Sequence, residues 1–222
     1  MHSPSSVSIG AKAAQTSYYA EEQARRINLP FTHMVTINYA HTNIDPHLAT
    51  MSFSRLRRSY FNKWAMRPSR SGGVAFTPTY AFAFENVRDG RPFMTIEPGD
   101  PHNVHVHWAV HIPPGRLADF ERRIWAWVEA TTGGITGGGE TIHIAQSRAH
   151  LGGYLVKGTS APLAEFYARG REAEPQGIII GRRANTSRNL GPTARRALDR
   201  ELGIRRQMPS RRDRDSSLSV YR

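Results

Sequence analysis

The chain has 222 residues, a formal charge of +12, no cysteine, and 27 arginines against three lysines. This length holds one sizeable domain with room for a tail. Disulfides and thiolate zinc sites are excluded, no apolar run is long enough to span a bilayer, and no secretory signal is evident, so we expect a cytoplasmic protein without membrane contact. Because arginine binds phosphate in a bidentate manner, its excess favours nucleic acid as partner over a merely basic, soluble chain.

The first half of the chain predicts an arm, two strands and a helix. Residues 1–28 are polar and rich in Ser and Ala, and we expect a flexible N-terminal arm. Residues 31–38 are β-branched and apolar and predict a strand, whereas 46–67 carry apolar residues at helical spacing among basic ones. Residues 79–85 alternate aromatic and small residues, which predicts a second strand.

Residues 103–111, Asn-Val-His-Val-His-Trp-Ala-Val-His, form the most informative segment. Side chains of a strand alternate between its faces, so Val104, Val106, Trp108 and Val110 share one face and the histidines share the other. His105 and His107 then lie roughly 6.5–7 Å apart, close enough to bind one metal ion. Two imidazoles facing water fit the pattern as well, and both interpretations stay open at this point.

A third metal ligand is predicted from the pairing of two strands. If 79–85 and 103–111 pair antiparallel with their aromatic and Val/Trp faces in the core, Glu85 lies on the same open face as His105 and His107. The separation of 20 residues between Glu85 and His105 is long. The alternative ligands are therefore Glu97, Asp100, His102 and His111.

The second half predicts a helix over 117–128, a strand over 141–146 and a helix over 148–157. The order β-α-β-β-α-β-α predicts an α+β fold, a ferredoxin-like antiparallel sheet with helices packed mainly on one face, over residues 29–180. Residues 181–222 form an Arg-rich tail that we expect to be partly disordered and to bind DNA phosphates rather than only to solubilise the chain. Its candidate DNA contacts are Arg182, Arg183, Arg195 and Arg196.

The last predicted helix of this domain carries Tyr154 and Lys157, which are i and i+3 neighbours on one face together with His150. A tyrosine hydroxyl can act as a covalent nucleophile when it meets a polarised electrophile, and a nearby lysine can stabilise developing negative charge. A packed ring beside a solvated amine is the ordinary interpretation of such a pair. The histidine strand that precedes it favours the chemical one.

The motifs His105-Val-His107 and Tyr154-x-x-Lys157, in this order and separated by one helix and one strand, resemble the HUH endonucleases. In particular they are similar to the single-tyrosine initiators of rolling-circle replication in plasmids, phages and single-stranded DNA viruses. The resemblance covers about residues 31–158 and implies metal-dependent nicking of single-stranded DNA or an origin hairpin. Tyr154 would form the 5′-phosphotyrosine link, and Lys157 would match the lysine of the tyrosine motif.

The resemblance also implies Mg²⁺ or Mn²⁺ bound by His105, His107 and Glu85, and a DNA contact at Asn38 within a loose match to the first motif of the family. No P-loop is present, so a host helicase and polymerase would be partners. Three alternatives stay open: a single-tyrosine transposase or relaxase, a non-catalytic nucleic-acid-binding protein, and a metal-dependent hydrolase that uses water.

Overall fold

A computed structural model describes residues 5–69, 73–96, 102–147, 151–167, 174–206 and 209. The main helices are α1 (Ala11–Arg26), α2 (Ala49–Arg55), α3 (Asn62–Ala65), α4 (Leu117–Thr132), α5 (Leu151–Tyr154), α6 (Ala161–Tyr167) and α7 (Pro192–Glu201). A π-helical stretch, Leu56–Phe61, joins α2 to α3 without a break. The main strands are β1 (His33–Asn38), β2 (Tyr80–Arg88), β3 (Val104–Val110), β4 (Ile142–Gln146) and β5 (Ala184–Thr186).

Four of these strands form the centre of an antiparallel sheet in the order β2-β3-β1-β4. Helices α2 and α3 connect β1 to β2, a hairpin connects β2 to β3, and α4 connects β3 to β4. The predicted α+β class, the antiparallel sheet and the β-α-β-β-α-β order are therefore confirmed. The outer edge of β2 pairs with β5 and with the two-residue strand Arg91–Pro92, and a separate two-residue pair joins Ser5–Ser6 to Ile179–Ile180.

One face of the sheet is aromatic and apolar, as the alternation predicts. Phe82 and Trp108 are opposite each other on β2 and β3, and both are at most 1% exposed. Phe53 of α2 lies edge-on against both rings, with centroids 5.0 and 5.5 Å away, and Phe120 of α4 closes the same cluster. Helices α2 and α4 thus cover this face, because here their apolar sides are buried away from water.

The other face carries small residues, and a helix that we predicted to be a flexible arm covers it. Ala81, Ala83 and Ala109 lie on this face, and α1 packs against it through alanines that are fully buried. The arm prediction is wrong for 11–26, since this stretch has no helix breaker and carries two i, i+4 ion pairs, Glu21–Arg25 and Glu22–Arg26. Helices consequently lie on both faces rather than mainly on one.

The C-terminal segment is also part of the fold up to residue 206. Strand β5 extends the sheet and α7 follows it, so the predicted boundary at residue 180 does not divide a domain from a tail. The tail prediction for 207–208 and 210–222 lies outside the described residues. Within the described ranges, every helix is too short or too polar to traverse a lipid bilayer.

Candidate metal centre

The pairing register brings three predicted ligands to one place on the small-residue face. Glu85 of β2 is the direct partner of His105 on β3, and the next residue on the same face of β3 is His107. Directly opposite residues of an antiparallel pair project from the same face. The long separation between Glu85 and His105 is the hairpin between β2 and β3, and it does not weaken the alignment.

The three side chains form a compact, nearly buried group. The Oε2 atom of Glu85 lies 3.5 Å from the Nε2 atoms of both His105 and His107, and Glu85 is only 4% exposed. One ligand atom from each residue lies within 4.8 Å of the other two, and this is the group of candidate metal ligands found among the described residues. Two imidazoles and one carboxylate are ligands that divalent transition metals accept.

The hydrogen bonds around this group orient the imidazoles for a cation. The Nδ1 atom of His105 lies 2.8 Å from the carbonyl oxygen of Asn103, which can only accept, so Nδ1 carries the proton and Nε2 keeps its lone pair. That lone pair and the Glu85 carboxylate face each other as two acceptors, which a shared cation stabilises. On His107, Nδ1 lies 3.0 Å from the Thr36 hydroxyl. The donor set therefore fits a divalent ion.

Tyr154 reaches this group from the end of α5. Its hydroxyl oxygen lies 3.0 Å from Nε2 of His107, and the two rings meet edge-on at 5.0 Å. Lys157 places its Nζ atom 2.8 Å from Oε2 of Glu85 and 4.7 Å from the Tyr154 ring centroid. Tyr154 and Lys157, which we predicted to be neighbours on one helix, therefore lie close to each other. The helix α5 ends at Tyr154, however, and Lys157 lies in the turn that follows. His150 lies outside the described residues.

The position of α5 is set by α1. The backbone N–H of Gly152 donates to the Glu21 carboxylate at 3.0 Å. A Cβ atom on Gly152 would lie 2.5 Å from the carbonyl oxygen of Tyr18, so the close approach of the two helices requires glycine. Sequence reasoning missed this role because it treated α1 as an arm. The unbroken helix-forming stretch 11–26 and its ion pairs were the available signal.

Burial and neighbouring charge decide the ionisation of the group. Burial alone would raise the pKa of Glu85, but its contacts with His105 and His107 and the Lys157 charge hold it well below its ordinary value, so Glu85 is a carboxylate. Burial lowers the pKa of His107 against the opposing effect of Glu85. Burial, followed by the Glu85 charge, raises the pKa of Tyr154, so the phenol is neutral near pH 7.

The alternative ligands do not join the centre where the structure describes them. His111 lies at the other end of β3 with its Nδ1 atom 2.7 Å from the carbonyl oxygen of Pro30. His102 is half-buried and is absent from the group of described ligands. Glu97 and Asp100 lie outside the described residues.

The predicted DNA contacts divide into surface and interior residues. Arg183 is 4% exposed and donates to the carbonyl oxygens of Phe84 and Ser6, and Arg195 is 6% exposed and donates to that of Gln15. These two predictions are wrong as surface contacts, because both guanidinium groups hold backbone in the interior. Arg182 and Arg196 are exposed.

Asn38 is the partner of His105 on β1 and lies half-buried on the face of the metal centre. Its side chain accepts from the backbone N–H of Ala40 and donates to the side chain of Asn103. Asn103 contacts Asn38, and Thr36 contacts His107, so both residues belong to the site although neither was a predicted ligand.

Comparison with models of known protein families, with curated proteins and with solved structures finds no match for this chain.

Proposed function

We propose that this protein is a metal-dependent endonuclease that nicks and rejoins single-stranded DNA through a 5′-phosphotyrosine intermediate, as the HUH-type initiators of rolling-circle replication do. The observation that carries the proposal is the 3.0 Å contact between the Tyr154 hydroxyl and His107, a member of the candidate metal group. The β2-β3-β1-β4 sheet supports it, because this is the ferredoxin-like arrangement that the resemblance implies.

The proposed reaction is a balanced exchange of phosphodiester bonds. The Tyr154 oxygen bonds to the scissile phosphorus, the bond to the 3′ oxygen breaks, and the departing 3′ oxygen takes up a proton. Attack by a 3′-hydroxyl reverses these steps and restores the phenol, so joining needs no energy source. A divalent ion bound by Glu85, His105 and His107 would polarise the phosphate and stabilise the added negative charge.

The proton of Tyr154 constrains the role of His107. The Nε2 atom of His107 has one lone pair, which cannot bind an ion and accept a proton from Tyr154 at the same time. If His107 held a metal ion through Nε2, it would give up this hydrogen bond, and the phenol would be free to approach a phosphate. Lys157 places a positive charge beside the ring, where it would stabilise the negative charge that develops on the phosphate.

The experiment that tests the proposal is covalent capture. The full chain is incubated with a pool of single-stranded oligonucleotides and Mn²⁺, denatured, and analysed for DNA that stays attached. We expect an adduct at a DNA 5′ end, assigned to Tyr154 by mass spectrometry, which is lost with chelator. The Tyr60→Phe variant, which changes a tyrosine of the opposite face, should form the adduct normally.

Other outcomes identify the alternatives. DNA binding without cleavage would indicate a non-catalytic binding protein, and cleavage without an adduct would indicate a hydrolase that uses water. An initiator, a transposase and a relaxase share this chemistry and differ in the DNA that receives the strand. Sequencing of the joined products, with several 3′-hydroxyl acceptors offered to the adduct, separates them: an initiator restores its own origin sequence, whereas the other two join the strand to a different recipient.

A further inference from the structure

We propose that a cavity beside the metal centre binds a backbone phosphate of the DNA strand next to the scissile phosphate, through Lys12 and Arg182. The inference rests on the proposed nickase function, because it assigns the cavity to the substrate of that enzyme. The cavity has a volume of about 430 Å³ and lies between the start of α1 and the residues before β5. This volume falls within the roughly 300–1,000 Å³ of ligand pockets.

The walls of the cavity adjoin two residues of the metal centre. On one side, the backbone N–H of Ile9, a lining residue, donates to the carbonyl oxygen of Gly158 at 2.8 Å, and Gly158 directly follows Lys157. A strand that passes the metal centre therefore meets the cavity on leaving the Lys157 turn.

The other wall reaches β2 beside Glu85. The backbone N–H of Phe84, the chain neighbour of Glu85, donates to the carbonyl oxygen of Arg183, a lining residue, which continues the register of Ala83 with Ala184. The register ends there, because the N–H of Asn86 donates to the carbonyl oxygen of Gln176. Arg182, the lining residue that precedes Arg183, thus lies close in the chain to the backbone that contacts the strand neighbour of Glu85.

The charge of the cavity points to an anion. Lys12 and Arg182 are exposed, line the cavity, and take part in no ion pair among the described residues, and none of the described lining residues is acidic. Two such uncompensated cations favour a phosphate, the anion that a DNA strand presents along its whole length. The larger cavity of about 610 Å³, between α3 and α4, differs because one of its lining residues, Asp119, is acidic and pairs with the lining residue Arg123, and because it lies on the aromatic face, away from the metal centre.

The test compares two double variants that remove the same charge. We measure the affinity of the full chain for a labelled oligothymidine by fluorescence anisotropy over a range of salt concentrations, with wild type, Lys12→Ala/Arg182→Ala and Arg55→Ala/Arg58→Ala. The second pair removes exposed arginines of α2 and of the π-helical stretch, which do not line the cavity. All four changes are at exposed positions, so the fold should survive.

We expect the cavity variant to bind about tenfold more weakly, and the magnitude of its salt slope to fall by about 0.7, the value for one lost phosphate contact on a single strand. The control variant should lose less than about threefold. Equal losses in both variants, or no loss in the cavity variant, would overturn the assignment. Adduct formation at saturating DNA is scored separately: failure of the wild type to form it removes the nickase proposal, whereas a normal adduct with unchanged affinity in the cavity variant removes only the phosphate site.

Discussion

The two faces of the sheet come from the same strands but differ in chemistry. On β3, Trp108 enters an aromatic cluster between α2 and α4, whereas its neighbour His107 projects towards Glu85 and Tyr154 on the other face. Alanines beside the histidine let α1 lie close to the sheet and position α5. The aromatic face therefore stabilises the fold, and the small-residue face leaves space for a polar site at one end.

The largest expected effect is on the chemistry of the small-residue face. Tyr154→Phe keeps the ring but removes the oxygen that we propose as the nucleophile, so we expect adduct formation to fall by roughly 10⁴–10⁶-fold. DNA affinity and the thermal midpoint should stay close to wild type. Gel analysis of denatured protein–DNA mixtures measures the adduct, and equal cleavage by both proteins would remove Tyr154 from the mechanism.

The opposite result is expected on the aromatic face. Phe82 is 1% exposed, so Phe82→Ala should lower the free energy of unfolding by about 3–5 kcal/mol, measured by urea denaturation. Met51→Ala, at a residue that is 61% exposed, should stay within about 0.5 kcal/mol of wild type. If Phe82→Ala stayed folded but lost Mn²⁺ binding, the aromatic face would contribute to the metal site as well as to stability, which would contradict the division of roles between the two faces.

The ionised Glu85 predicts a pH dependence of stability. Its folded pKa lies below the unfolded value of 4.5, so the carboxylate stabilises the fold above pH 4.5, and this contribution is lost as the pH falls below it. The wild type should lose free energy of unfolding as the pH falls. With chelator present, this loss should be smaller by about 1–3 kcal/mol in Glu85→Gln. The exposed Glu129→Gln serves as control and should follow the wild-type curve, which urea denaturation at several pH values measures.

Two adjacent glycines test the support that α1 gives to the site. Gly152→Ala would place a methyl group against the Tyr18 carbonyl oxygen, and we expect a loss of about 1–3 kcal/mol together with slower adduct formation. A Cβ atom added at Gly153 would point into open space, so Gly153→Ala should be neutral or stabilising. Equal effects of the two substitutions in thermal unfolding would contradict the close approach of α1 and α5.

The smallest effect concerns the orientation of a ligand. Thr36→Val removes the hydroxyl that lies 3.0 Å from Nδ1 of His107, and we expect Mn²⁺ affinity to fall about tenfold in calorimetric titration. Thr36→Ser keeps the hydroxyl and should bind Mn²⁺ like wild type. Failure of serine to restore the affinity would mean that the methyl group, not the hydrogen bond, matters at this position.

The sequence by itself determined the four central strands and their two faces, and it predicted Glu85, His105 and His107 as one candidate set of ligands. Alternation along β2 and β3 is a local property, because each side chain's face follows from its position in the strand, and it correctly placed Glu85, His105 and His107 together. The motif spacing correctly named Tyr154 and Lys157 as neighbours, and their distances to His107 and Glu85 came only from the fold.

Only the tertiary structure decided what covers the small-residue face and which arginines are buried. Helix α1 is polar and rich in alanine, so its burial depends on a flat patch formed by Ala81, Ala83 and Ala109 on two different strands. Arg182 and Arg183 are adjacent in sequence, yet one faces solvent and the other holds backbone carbonyls, because β5 pairs with β2. Such outcomes depend on contacts between distant segments, which local patterns of charge and hydropathy do not contain.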